Sequence, residues 1–108
     1  MGRVLIVDDE PDSLLAARAA LVAAGHRCVL AADGERALEY LAGGGFDLVV
    51  IDPAMPLHDG WPVLAAADPV PVVVMSAAAV PAGPAVAAVP KPCPAADLVR
   101  TVEAVLGR

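Results

Sequence analysis

The sequence predicts an α/β fold, a doubly wound five-stranded parallel sheet with helices on both faces. Short β-branched runs alternate with Ala- and Leu-rich stretches, the pattern of buried strands between covering helices. Three of those runs end in charge: Val4–Val7 leads into Asp8 and Asp9, Leu48–Ile51 into Asp52, and the last strand into Lys91. Open sheets of this class bind ligands at the carboxyl ends of their strands, which is where these charges collect.

Strand one covers about Val4–Val7. A helix opens near Pro11-Asp12, with proline in its first turn, and stops at Gly25. Leu14, Leu15, Leu21 and Val22 are its expected apolar stripe. Strand two is Cys28–Ala31. Asp33 then caps a helix that turns Ala37, Leu38 and Leu41 inward and ends at Gly43-Gly44-Gly45. Strand three is Asp47–Ile51, and a short helix covers about Trp61–Ala67 before Pro69 and Pro71. Strand four is Val72–Met75, delivering Ser76, and strand five occupies about Val86–Val89. The last helix, Ala95–Leu106, aligns Leu98, Val99, Val102, Val105 and Leu106 at the helical period.

One connection is short. Residues 77–84, which include Pro81 and Pro84, separate Ser76 from strand five. Extended, eight residues reach about 26 Å, enough to return along a strand of roughly 17 Å. A crossover usually takes about a dozen residues or more. The fourth crossover helix is therefore expected to be missing or reduced to a loop, leaving one face of strands four and five thinly covered.

At 108 residues the chain is expected to form one domain spanning 1–108. A composition 58% hydrophobic and 19% charged excludes disorder. The formal charge of −6, with scattered basic residues, argues against direct nucleic-acid binding. Arg3 precedes only a short apolar run before Asp8, unlike a signal peptide. No apolar stretch approaches the roughly 18 residues a spanning helix needs, once prolines such as Pro69, Pro71, Pro81 and Pro84 are counted. A cytoplasmic protein with no membrane partner is expected. Cys28 and Cys93 lack metal-ligand spacing and read as small buried thiols. Cys93, close to Lys91, is the one considered for redox sensitivity.

The acids carry the chemistry. Carboxylates about 4–5 Å apart repel by roughly 3–4 kcal/mol at an effective dielectric near 20. Asp8, Asp9 and Asp52 in one corner therefore need a cation, and Mg²⁺, which takes carboxylate and carbonyl oxygens, is the natural candidate. Phosphoryl transfer needs such a metal, an ammonium and aimed donors around the equatorial oxygens, and a carboxylate can serve as its covalent nucleophile.

Val7-Asp8-Asp9-Glu10-Pro11, Asp47 to Gly60 with Asp52 within it, Ser76-Ala77 and Lys91-Pro92 together resemble the bacterial response-regulator receiver domain, in order along essentially the whole chain. The resemblance implies a flavodoxin-like sheet in the order 2-1-3-4-5. It implies that Asp52 accepts a phosphoryl group from a histidine kinase or phosphotransfer protein. It implies that Asp9, Asp52 and the Ala54 backbone carbonyl hold Mg²⁺, with Asp8 contacting it mainly through water. Lys91, the Ser76 hydroxyl and the Ala77 backbone amide are then the phosphoryl-binding groups. Such a domain is no enzyme on outside substrates, catalysing only its own phosphorylation and dephosphorylation, and it signals through a downstream protein. His58 and Asp59, in the loop after Pro56, read as solvated, and Trp61 as packing at the start of helix three.

The chain departs from the family in two places. The aromatic residue commonly found three positions before the lysine is Ala88 here, and the fourth helix is expected to be absent. An alternative reading follows: a degenerate receiver serving as a constitutive interaction module, a homodimer through strands four and five. A phosphatase of the haloacid-dehalogenase type would need a second acid at Ala54, and the chain has none there.

Overall fold

The first strand forms inside the sheet because Val4, Leu5, Ile6 and Val7 are apolar on both sides of the pleat. Val4 and Ile6 point into one cluster of buried side chains, and Leu5 and Val7 into another on the opposite face. The computed structural model of the protein describes residues 2–52, 60–76 and 85–107. Along them run β1 (Arg3–Val7), α1 (Pro11–Ala23), β2 (Arg27–Ala31), α2 (Gly34–Gly43), β3 (Leu48–Ile51), α3 (Gly60–Ala67), β4 (Val72–Ser76), β5 (Ala85–Pro90) and α4 (Ala95–Leu106). All strand pairs are parallel and the order is β2-β1-β3-β4-β5, as expected.

The strand order reverses between β1 and β3, which makes their carboxyl ends the natural crevice. Their register sets Val7 beside Ile51, so Asp8 and Asp52 emerge side by side. At the other end of the site, Ser76 of β4 pairs with Pro90 of β5, one residue before Lys91. The β4–β5 ladder slips between Val72 and Val73.

The first core, on the α1–α4 side, holds Leu14, Leu21, Leu48, Val50, Met75, Leu98 and Val102. The second holds Ala37, Phe46, Val49, Ile51, Val63 and Val74. Burying each such Val, Leu or Ile contributes about 1.5–3 kcal/mol.

Two expected stripes need correction. Leu14, Ala17 and Leu21 form the buried face of α1, whereas Leu15 and Val22 are half-exposed. Leu15 and Val22 lie one residue, or about 100°, around from that face, with Arg18 between them in sequence. Likewise α2 buries Ala37 and partly buries Leu41, while Leu38 is exposed. The capping expectations hold. The Asp33 carboxylate accepts from the Arg36 amide at 2.8 Å, and Gly25, just past α1, takes φ +96°.

Among the described residues there are four helices, and α4 follows β5. The expectation of a loop in place of a fourth crossover helix falls on residues 77–84, which lie outside the described residues. Val89 of β5 is buried, while Ala88, on the opposite face of the strand, is exposed.

Candidate functional site

Asp8 leaves β1 fully buried, and its backbone amide donates to the Ala31 carbonyl at 3.1 Å. Asp52 leaves β3 nearly buried, its amide donating to the Val7 carbonyl at 3.1 Å. Both carboxylates are thus fixed by sheet hydrogen bonds one residue past the strands. Lys91 is held the same way, its amide donating to the Ser76 carbonyl at 3.1 Å.

The Lys91 ammonium ties the corner together. Nζ lies 2.9 Å from Asp8 Oδ2, 3.1 Å from Asp8 Oδ1 and 2.7 Å from Asp52 Oδ2. A third acid joins them, Glu10, whose Oε1 lies 2.6 Å from Nζ. Burial by itself pushes the ammonium below its ordinary range. The hydrogen bonds to Asp52, Glu10 and Asp8 outweigh it and hold the lysine above its ordinary range. Lys91 is therefore a fixed cation.

Asp8 shows the converse balance. Its burial raises the carboxyl above the usual range, despite hydrogen bonds from the Glu10 amide and Lys91.

A tight turn places Glu10. Asp8 Oδ1 accepts from the Glu10 amide at 3.0 Å, closing an Asx turn over residues 8–10. That turn leaves Asp9 exposed and brings Glu10 back over Lys91. Oxygens of Asp8, Glu10 and Asp52 lie within 4.8 Å of one another, close enough for one ion. Three carboxylates against one ammonium leave a net charge of −2, and hard oxygen donors suit Mg²⁺.

Of the residues singled out in the sequence, Asp8, Asp52 and Lys91 are brought together, and Ser76 sits one strand over, bonded to Lys91 through its backbone. Asp9 is not in the group. Ala54, His58, Asp59 and Ala77 lie outside the described residues. Glu10 was missed by the sequence reading. Its signal was the spacing Asp8-x-Glu10, which lets the first side chain cap the third amide.

Cys93 lines a groove between α1 and α4 with Ala16, Ala20, Met75 and Leu98. Burial and the Asp97 charge push its thiol up, which opposes the thiolate that redox reactivity requires.

Residues 4–103 match the response regulator receiver domain family. The chain is 40% identical over 63 residues to the transcriptional regulatory protein TcrA of Mycobacterium tuberculosis. It is 39% identical over 62 residues to the transcriptional activator protein IrlR of Burkholderia pseudomallei. These alignments take in 58% and 57% of this chain, and the chain spans about a quarter of the length of either relative, 25% and 27%. Its fold is similar to the chemotaxis protein CheY4 of Vibrio cholerae, with a TM-score of 0.89 and 26% identity over 97% of this chain and 98% of that one. The receiver domain of the hybrid histidine kinase CckA matches with a TM-score of 0.85 and 33% identity, over 97% of this chain and 99% of that one. With the strand order, the paired acids and the facing lysine all in place, the chain belongs to the family of response regulator receiver domains.

Proposed function

We propose that the chain is a phosphoacceptor in a two-component phosphorelay, with Asp52 as the nucleophile. The observation that carries the reading is the Lys91 ammonium held between Asp8 and Asp52 at the crevice of the sheet. An Asp52 oxygen attacks the phosphorus of a kinase phosphohistidine, the P–N bond breaks, and the imidazole leaves with the electron pair and takes up a proton. Lys91 pairs with the incoming phosphoryl oxygens, and the Ser76 hydroxyl and Ala77 amide donate to them. Asp8, Asp9, Asp52 and the Ala54 carbonyl are the groups proposed to hold Mg²⁺: Asp9 turns in from its exposed position when the metal binds, and Glu10, although it lies near enough to Asp8 and Asp52 to share an ion, is taken by Lys91. When bound, the metal neutralises charge on the phosphoryl oxygens. A histidine kinase or phosphotransfer protein is the donor, and output passes through contact with another protein.

The test is incubation with acetyl phosphate and Mg²⁺ followed by intact mass. The expected result is a gain of one phosphoryl group, reduced at least about 100-fold in Asp52→Asn. An equal gain in Asp52→Asn defeats the reading.

The exposed Ala88 on edge strand β5 favours a second reading, a homodimer through β4 and β5 that works without phosphorylation. Light scattering across concentration tests it, and a mass that stays monomeric refutes it.

A further inference from the structure

Three carboxylates share the Lys91 ammonium, and they are not equivalent. Asp8 is fully buried and held by the Glu10 amide as well. Asp52 is nearly buried at the end of β3. The side chain of Glu10 is 62% exposed, yet it makes the shortest contact, 2.6 Å from Nζ. An ammonium has three donors, and here each faces a different carboxylate. Phosphorylation spends the Asp52 carboxylate charge and frees the donor it held, but the anionic phosphoryl oxygens that take its place need more of the ammonium than that one donor, so a second acid must give way. The buried pair is fixed by the sheet, whereas Glu10 can rotate into water. Glu10 precedes α1 as its N-cap, but its side chain makes no capping hydrogen bond, so it is free for this role.

We infer that Glu10 is the resting counterion of Lys91, a carboxylate that occupies the phosphoryl position on the ammonium and must be displaced when Asp52 is phosphorylated. The inference rests on the phosphoacceptor reading and adds a positioning residue to it. Its effect is to slow phosphorylation and to weaken the hold on a bound phosphoryl group. Removing the Glu10 charge frees one lysine donor and takes a repelling anion from the path of an anionic phosphoryl donor.

The experiment uses Glu10→Gln and Glu10→Ala, with Asp12→Asn as a control that removes a nearby exposed carboxylate from the first turn of α1. Two quantities are measured: the initial rate of phosphorylation by acetyl phosphate at saturating Mg²⁺, and beryllofluoride affinity by calorimetry. Both Glu10 variants are expected to raise each by about three- to fivefold, the size of one partly exposed ion pair, and Asp12→Asn by less than about 1.5-fold. Values within about 1.5-fold of the unsubstituted protein, a decrease, or an equal rise in Asp12→Asn overturn the inference. Magnesium affinity of the unphosphorylated protein is expected to stay within about threefold. A loss of about tenfold or more assigns Glu10 to the metal and also overturns it. If the unsubstituted protein gains no phosphoryl group, or Asp52→Asn gains as much, the phosphoacceptor reading itself fails and the inference falls with it. A failure confined to the Glu10 variants leaves that reading standing.

Discussion

β1 and β3 deliver short acids, while β5 delivers a long base, and the two regions are built differently. Val4 to Val7 and Leu48 to Ile51 are all at 0% exposure, locked between two cores. β5 is an edge strand with a slipped ladder to β4 and an exposed Ala88. An aspartate has only two side-chain torsions, so its oxygens go where the backbone puts them. A lysine reaches through a flexible four-carbon stem and tolerates an imprecise strand beneath it. Rigidity is concentrated under the groups that cannot adjust.

The largest test of this contrast removes core beneath the acids. Ile6→Ala in β1 is expected to cost about 3–4 kcal/mol in urea unfolding, while Ala88→Ser in β5 costs less than about 0.5 kcal/mol. Similar costs would erase the distinction. Next, Lys91→Ala strands two buried acids and is expected to cost about 3 kcal/mol in metal-free protein, with part restored by Mg²⁺. A neutral outcome would show that the lysine does not hold the corner.

Smaller again, Asp8→Asn is expected to stabilise the metal-free protein by about 1 kcal/mol, because burial disfavours the charged form there. The pH dependence follows from the same shift. A carboxyl raised on folding contributes stability present below its unfolded value near 4, which is lost as pH rises through the folded value. Metal-free protein should therefore lose stability above about pH 4, and Asp8→Asn should flatten that slope. Lys91 adds no slope near neutrality, since its raised value keeps it charged until strongly alkaline pH. The smallest effect is expected from Ala88→Glu, which should leave melting unchanged within about 2 °C yet abolish any dimer through β4 and β5.

Much of this was legible because strands buried on both faces announce themselves as unbroken apolar runs. Where such a run stops at a charge, the charge stands at the carboxyl end of its strand, which located Asp8, Asp52 and Lys91 together. The finer choices depended on side-chain hydrogen bonds and helix rotation. One bond from the Glu10 amide to Asp8 decides which of two adjacent acids meets the lysine. A rotation of about 100° separates buried Leu14 from half-exposed Leu15, and both look equally apolar in a sequence.

His26 stands apart from the acids, and its buried ring fastens the start of β1 while lying against the last helix. The buried ring accepts at Nδ1 from the Gly2 amide at 3.1 Å and turns Nε2 toward Glu103 Oε2 at 3.3 Å. With Nδ1 committed as an acceptor, a neutral ring must carry its hydrogen on Nε2. Its nitrogen resonances therefore offer a spectroscopic gauge of whether α4 shifts against the sheet, readable without touching any group at the crevice.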